Sequence, residues 1–196
     1  DRPSVVSDGR EFRLPRSIIA HEIEVIKALG VEIRCGIEVG RDIDFAKLRA
    51  EFAAVILSVG AKRARLLGLP GERGPRVFGG VDFLRAIALG QKPDVGENVV
   101  VIGGGNVAYD VARTVIRQIA LDTARAAVRL AAGARVRLVS LETLEEMPAD
   151  TAEIKEGDGE GIERIGGLGP LEIRRDGTGE VVGLLVKRCT RVFDDE

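Results

Sequence analysis

Apolar residues along the chain recur with two distinct spacings. Ile18, Ile19, Ile23, Ile26 and Leu29 fall on one face of a helix. Pro15 before them and Gly30 after them suit a helix start and stop, so residues 15–29 are expected to be helical. Val31 to Cys35 reads as a short strand, and Asp44 as the cap of a short helix through Ala50. Ala53 to Val59 is an unbroken apolar run, the pattern of a strand buried on both faces. Gly, Pro and Arg then interrupt the pattern over 60–77, the best candidate for a domain boundary. Val81 to Leu89 reads as a helix closed by Gly90. Asn98 to Ile102 is a second buried strand, which leads through Gly103-Gly104-Gly105-Asn106 into a long helical pattern. Val136 to Val139 is a further strand, 151–157 a weak helix, and 171–192 two strands about the turn Asp176-Gly177-Thr178-Gly179. Residues 1–10 are polar and read as a loop or frayed end. This alternation of strand and helix, followed by a hairpin, predicts an α/β fold: a parallel sheet with an antiparallel hairpin appendage.

The long helical pattern contains an internal repeat. YDVARTVIRQIA at 109–120 is followed directly by LDTARAAVRLAA at 121–132, with Asp, Ala, Arg, Arg and Ala coinciding. A single helix spanning both copies would be about 39 Å long at 1.5 Å per residue, whereas a five-residue strand spans about 17 Å. The helix must therefore outrun its sheet or break near Gln118 to Asp122.

Composition narrows the classes. Hydrophobic residues make up 45% and charged residues 31%, ordinary for a globular protein. The 29 basic and 31 acidic residues balance to a formal net charge of −2, and aromatics are 4%, which argues against nucleic-acid or membrane-surface binding. No stretch of 18 apolar residues exists, so no transmembrane helix is expected. Cys35 and Cys189 alone hold neither an iron–sulfur cluster nor a cysteine zinc site, and are expected to be reduced thiols of a cytoplasmic protein. No metal site is expected. His21, the only histidine, restricts any Ser-His-Asp triad to its own surroundings. No leader opens the chain and position 1 is not Met, which suggests a fragment.

The 25 glycines point to tight turns and close backbone approaches, and the most informative group is NVVVIGGGNVAYDVA. It contains G-x-G-x-x-A as Gly103, Gly105 and Ala108, between a buried strand and a helix. In that context each position has a task. Gly103 permits the sharp turn, Gly105 leaves no Cβ where a pyrophosphate approaches the backbone, and Ala108 lets the helix pack closely on the strand. The free N–H groups at the helix start, aided by the helix dipole, face an anion. An acidic side chain ending the second strand would then bond adenosine ribose hydroxyls and disfavour a 2′-phosphate. Glu142 is that candidate, with Ser140 beside it; the lengthened helix explains its late position. A solvated loop carboxylate is the alternative for Glu142.

Further segments complete a family pattern: Phe12-Arg13-Leu14-Pro15-Arg16, Leu29-Gly30-Val31-Glu32-Ile33, Val55-Ile56-Leu57-Ser58-Val59-Gly60-Ala61, Leu69-Pro70-Gly71-Glu72, Val81-Asp82-Phe83-Leu84, Val101-Ile102-Gly103-Gly104-Gly105-Asn106 and Glu145-Glu146-Met147-Pro148-Ala149. From residue 11 onward, in this order, the chain resembles the glutamate synthase small-subunit family, with its relatives such as the flavin half of dihydropyrimidine dehydrogenase. The resemblance implies a flavoprotein in which a Rossmann-like NAD(P)H domain is inserted into an FAD domain. Hydride passes from nicotinamide to flavin, and electrons continue to an iron–sulfur subunit or domain. It implies residues 1–76 as a partial FAD-side segment carrying part of that domain's sheet, and 77–196 as a truncated NAD(P)H-binding domain. It places Gly103, Gly104, Gly105, Asn106 and Ala108 on the pyridine nucleotide, and Arg13, Pro15, Ser58 and Gly60 on the flavin side. The family's opening FAD fingerprint and closing FAD strand are not in this sequence, so FAD is expected in the full-length protein. NADPH-using relatives carry paired arginines just after the second strand; Leu141 and Glu142 stand there instead, which points to NAD(H) over NADP(H), with Arg137 the remaining cation in reach.

Other residues have plainer readings. His21 is expected at the surface, and Lys62-Arg63-Ala64-Arg65 as a solvated linker. Arg13 and Arg16 are candidates for flavin phosphates, with solvated arginines as the alternative. The acidic run Glu153, Glu156, Asp158, Glu160 and Glu163 lacks calcium-loop spacing and reads as a solvated helix end. Asp110 suits the dipole of the helix start without a catalytic role. No catalytic acid or base is expected, because a direct hydride transfer needs positioning instead. Two other functions are compatible with the chain: a non-catalytic nucleotide-binding or subunit-docking module using the lengthened helix, and a dehydrogenase of a small substrate, for which no acid/base pair is present.

Overall fold

A computed structural model describes residues 15–61, 63–125 and 135–192. The chain forms two compact units, Asp1–Ala61 and Lys62–Glu196.

In the first unit, α1 (Arg16–Ala28) and α2 (Phe45–Glu51) form where expected. The Pro15 carbonyl accepts the Ile18 and Ile19 N–H groups, and Gly30 leaves the helix at φ +89°, a conformation that suits glycine. Asp44 caps α2 by accepting the Ala46 N–H at 2.8 Å. The apolar stripe of α1 is exposed, with Ile18 at 49% and Leu29 at 79%. The strands expected at 31–35 and 53–59 do not form; an isolated bridge between Val39 and Ile43 is the β-pairing seen among this unit's described residues. The sheet expected for this part of the chain is thus not formed among those residues. An apolar run signals burial, but a strand also needs a neighbour to take its backbone hydrogen bonds. No described residue of this unit pairs with 53–59 in a sheet, and Ile56 is 90% exposed.

The second unit holds the sheet. Its elements are α3 (Gly80–Ala88), β1 (Asn98–Ile102), α4 (Asn106–Arg125), β2 (Arg135–Val139), α5 (Thr151–Gly159), β3 (Glu163–Ile165), β4 (Leu168–Arg175) and β5 (Val181–Arg188). Strands β1, β2 and β3 pair in parallel in that order, with α4 and α5 as the crossovers. Strand β3, three residues long, is too short to carry a readable pattern. Ile102 pairs with Val139, so β1 and β2 end at the same level. The residues that follow them, Gly103 and Ser140, therefore emerge side by side.

Helix α4 is the spine of this unit. Tyr109, Ala112 and Val115 are fully or almost fully buried against Phe83 of α3, Leu138 of β2, Met147 and Ile162. The helix runs unbroken through Gln118 to Asp122. Its 20 residues span about 30 Å against about 17 Å for a five-residue strand, so it outruns the sheet instead of breaking. The remainder of the repeat, 126–132, lies outside the described residues.

Strands β4 and β5 pair antiparallel, with irregularities between Pro170 and Glu172 and between Arg174 and Arg175. Asp176 fixes their turn: its Oδ1 accepts the N–H groups of Thr178 and Glu180 and the Thr178 hydroxyl. The Gly- and Pro-rich segment before α3 docks on this hairpin. Ile173 donates its N–H to the Pro70 carbonyl, and the Arg175 guanidinium donates to the Gly71, Pro75 and Gly179 carbonyls. A β-carbon at Gly71 would run into the Ile173 carbonyl, which is why this contact takes a glycine.

Candidate nucleotide-binding site

The glycine-rich turn sits where the level ends of β1 and β2 place it. Gly103 has φ +134°, a region that L side chains rarely adopt, and its N–H donates to the Val139 carbonyl at 2.8 Å. This bond ties the turn to the end of β2. A β-carbon at Gly103 would touch the Cβ of Ala108, so the first turn of α4 packs directly on the strand exit. The backbone N–H groups of Gly105, Asn106 and Val107 have no acceptor among the described residues. They are orphan donors of the helix start, and the helix dipole adds positive potential there. A β-carbon at Gly105 would meet nothing within 4 Å, so the space over these donors is open. The arrangement suits an anion such as a pyrophosphate.

Gly104 plays a different part from Gly105. A β-carbon there would lie 2.9 Å from Glu142 Oε2, 3.2 Å from Ser140 Cβ and 3.4 Å from Pro148 Cδ. The Glu142 carboxylate thus reaches back from the end of β2 to the glycine turn. The Gly104 carbonyl accepts the Ala149 N–H at 3.2 Å, and Asn106 Oδ1 accepts the Asp150 N–H at 2.7 Å. The loop 141–150 is therefore held over the turn at its far end by bonds from the Ala149 and Asp150 N–H groups, and at its near end the Glu142 carboxylate lies against Gly104.

Ser140 is buried at 1% exposure, and its Oγ donates to the Glu142 carbonyl at 2.8 Å. Its N–H and carbonyl bond to Ile165 and Leu168. Its hydroxyl is committed to shaping the loop that presents Glu142. Glu142 itself is half-buried, and its carbonyl also accepts the Gly167 N–H at 2.8 Å. Arg137 pairs with Glu163 at 2.8 Å across the β2–β3 register. It is held at the sheet surface by that partner.

Two features of this site had weak sequence signals. Tyr109 is fully buried and its hydroxyl donates to Met147 Sδ at 3.4 Å, which anchors the underside of the loop 141–150. Burial raises the Tyr109 hydroxyl above the usual tyrosine range, so it stays a neutral donor. The acidic run is not a solvated helix end. Glu153, Glu156 and Glu160 converge on the buried Arg113 at 3.0, 2.6 and 2.9 Å, and Glu160 also bonds Arg117. Asp158 pairs with Arg164 and Glu163 with Arg137. The signal was present in the helical spacing of Arg113 and Arg117 opposite three glutamates, but only the β–α–β crossover brings α4 and α5 together. No group of His, Cys, Asp or Glu among the described residues is arranged to hold a metal ion. No helix among them is long and apolar enough to cross a membrane.

The flavin-side candidates are not brought into a site. Arg13 lies outside the described residues. Pro15 starts α1, and Ser58 and Gly60 are exposed in a segment without regular structure. A β-carbon at Gly60 would meet nothing within 4 Å. These residues alone do not build a pocket that fits FAD. His21 is exposed on α1, and Cys35 and Cys189 are free thiols.

A parallel β–α–β unit with an open glycine turn and an acidic residue at the end of its second strand defines a dinucleotide-binding class of protein. The chain belongs to the pyridine nucleotide-disulphide oxidoreductase family, whose sequence profile matches residues 17–156. It is 33% identical over 184 residues to the NADPH-Fe(3+) oxidoreductase subunit beta of Geobacter sulfurreducens, covering 92% of this chain and 25% of that protein. It is 30% identical over 189 residues to the glutamate synthase [NADPH] small chain of Escherichia coli, covering 90% and 37%. It is 35% identical over 164 residues to the NAD-dependent dihydropyrimidine dehydrogenase subunit PreT of Salmonella typhimurium, covering 83% and 36%. The chain thus spans well under half the length of these relatives. Mycobacterium tuberculosis FprA in complex with NADPH shares the fold, at a TM-score of 0.66 and 23% identity, over 81% of this chain and 48% of that one. The family resemblance read from the sequence and the α/β architecture both stand.

Proposed function

We propose that this chain is the pyridine-nucleotide-binding portion of an NAD(P)H-dependent flavin oxidoreductase. The observation that carries the reading is the open turn at Gly105, with the donors of Gly105, Asn106 and Val107 unpaired above it. Residues 77–196 form the coenzyme domain, with Pro70, Gly71 and Pro75 held on its hairpin, and the chain before Lys62 belongs to the flavin side, where Arg13, Pro15, Ser58 and Gly60 would need the remainder of the full-length protein to complete an FAD site. A nicotinamide bound here would supply a hydride, with FAD and an iron–sulfur partner of the full-length protein as the acceptors. This chain's own residues bind and orient. The α4 N-terminus would hold the pyrophosphate and Gly105 would admit it, while Ala108 keeps the helix start against β1. Asn106 and Ser140 fix the loop that carries Glu142. No side chain here is needed as an acid or base. The setting is the cytoplasm, in keeping with two free thiols.

Glu142 favours NADH. Its carboxylate stands beside the turn, where it can accept from ribose hydroxyls and repel a 2′-phosphate. Arg137 is paired with Glu163 and does not offset it. The names of the relatives include both NADPH and NAD, so either coenzyme is compatible with the family. Calorimetric titration of the protein with NADH and NADPH tests both claims. NADH binding tighter than NADPH, and lost in Gly105→Val, is expected. Tighter NADPH binding overturns the role of Glu142, and binding of neither overturns the coenzyme site.

A further inference from the structure

Resting on that coenzyme reading, we propose that Lys187 is a specificity-determining residue that contacts a coenzyme 2′-phosphate from the hairpin and so opposes Glu142. The adenosine ribose of a dinucleotide lies at the end of the second strand of the fold. Here that place is the Leu141–Glu142 stretch after β2. The hairpin reaches the same place. Lys187 of β5 pairs in register with Gly169 of β4. A β-carbon at Gly169 would lie 3.2 Å from Leu141 Cδ2, 3.7 Å from Lys187 Cγ and 3.8 Å from Lys187 Cε. Leu141 and the lysine stem therefore lie over one glycine, which has no side chain to separate them. The residue after Leu141 is Glu142, whose carboxylate lies against Gly104. The loop thus carries Glu142 at the glycine turn and, one residue earlier, Leu141 beside the lysine stem.

Lys187 is exposed, and it has no ion pair or hydrogen bond among the described residues. The arginines of β2 and β3 differ in this respect, since Arg137 is held by Glu163 and Arg164 by Asp158. An unpaired ammonium on a flexible stem suits a phosphate as a point charge. It adds nothing to recognition of ribose hydroxyls in NADH beyond its long-range field, which salt screens.

The test is titration of the full-length protein and its Lys187→Ala and Lys187→Arg variants with NADH and NADPH, at low and at raised salt. In Lys187→Ala, NADPH binding is expected to weaken about fivefold, with NADH little changed and the difference shrinking as salt rises. Lys187→Arg is expected to retain NADPH binding, which separates charge from hairpin packing. Equal weakening of both coenzymes, or weakening of neither, overturns the assignment of Lys187 while leaving the coenzyme site in place. Failure of the unmodified protein to bind either coenzyme overturns the site and this assignment together.

Discussion

Asn106 Oδ1 accepts the backbone N–H of Asp150 at 2.7 Å, so the first residue of α4 holds the residue that caps α5. Asp150 in turn accepts the Ala152 N–H at 2.8 Å. One side chain thus links two helix starts and closes the loop 141–150 over the glycine turn. Asn106→Ala leaves the Asp150 N–H without its partner. A stability loss of about 1 kcal/mol is expected by chemical denaturation. Coenzyme affinity is expected to fall as well, because the loop carrying Glu142 loses one of its anchors. Asn106→Asp keeps an acceptor for the Asp150 N–H but places a negative charge at the anion site. It is expected to keep the stability and lose the affinity, and titration beside denaturation of both variants checks the pair.

Neighbouring glycines of the turn are expected to respond in opposite ways. An alanine β-carbon at Gly104 would press on Glu142 Oε2, Ser140 Cβ and Pro148 Cδ, all within 3.4 Å. Ser140 is locked by its own hydrogen bonds, so only the glutamate and the loop can yield. Gly104→Ala is expected to cost about 1–3 kcal/mol of stability. At Gly105 the added carbon meets nothing, so Gly105→Ala should leave the melting temperature near its original value and weaken NADH binding. A melting temperature that falls in both variants, or in neither, would sink this division of roles.

The parts of the fold that were legible in the sequence are those whose pattern is local. The strand Asn98–Ile102, the glycine turn, the cap at Asp44 and the turn set by Asp176 each follow from neighbouring residues. Two kinds of feature were not legible. The apolar run 53–59 looks like a strand, but pairing depends on a partner elsewhere, and no described residue of its unit supplies one. Ser140 was readable as a neighbour of the ribose site, whereas its inward hydroxyl depends on the Glu142 carbonyl folding back. The ionic cluster of Arg113 was hidden for the same reason. Its acids lie at least 40 positions away in sequence and become neighbours only through two crossovers.

Arg113 should matter to stability more than its place in an Ala- and Arg-rich helix suggests. Its guanidinium is 6% exposed and touches three glutamates, of which Glu153 is 13% and Glu160 25% exposed. Burial opposes this charge, but the bonds to and charges of Glu160 and Glu156 outweigh it and hold the guanidinium above the already high range of arginine, so the charge is permanent. Arg113→Met removes the charge and leaves carboxylates facing each other between α4 and α5. A loss of about 3 kcal/mol is expected, because removing one partner strands the others in a poorly hydrated place. The double variant Arg113→Met with Glu160→Gln should recover part of that loss. Denaturation of the two variants against the unmodified protein measures it, and no recovery would mean that Glu160 is not the principal partner.

Glu72 gives the second unit a predictable acid response. Its carboxylate accepts the N–H groups of Leu67, Gly68 and Leu69 at 2.7, 2.7 and 3.2 Å, closing the loop that leads to the hairpin contact at Pro70. The bond from Leu67 leads the interactions that hold this carboxyl below the usual glutamate range. A carboxyl whose folded value is depressed adds stability above its unfolded value, and that stability is lost as pH falls through the folded value. At neutral pH the loop is therefore closed, and it opens as the medium is acidified through and below the ordinary carboxylate range. Glu72→Gln keeps the shape but loses the charge. The stability difference between the unmodified protein and Glu72→Gln should be largest near neutrality and shrink on acidification. Thermal unfolding of both proteins across that range decides it: a difference that stays constant with pH would show that the three amide bonds owe nothing to the carboxylate's charge.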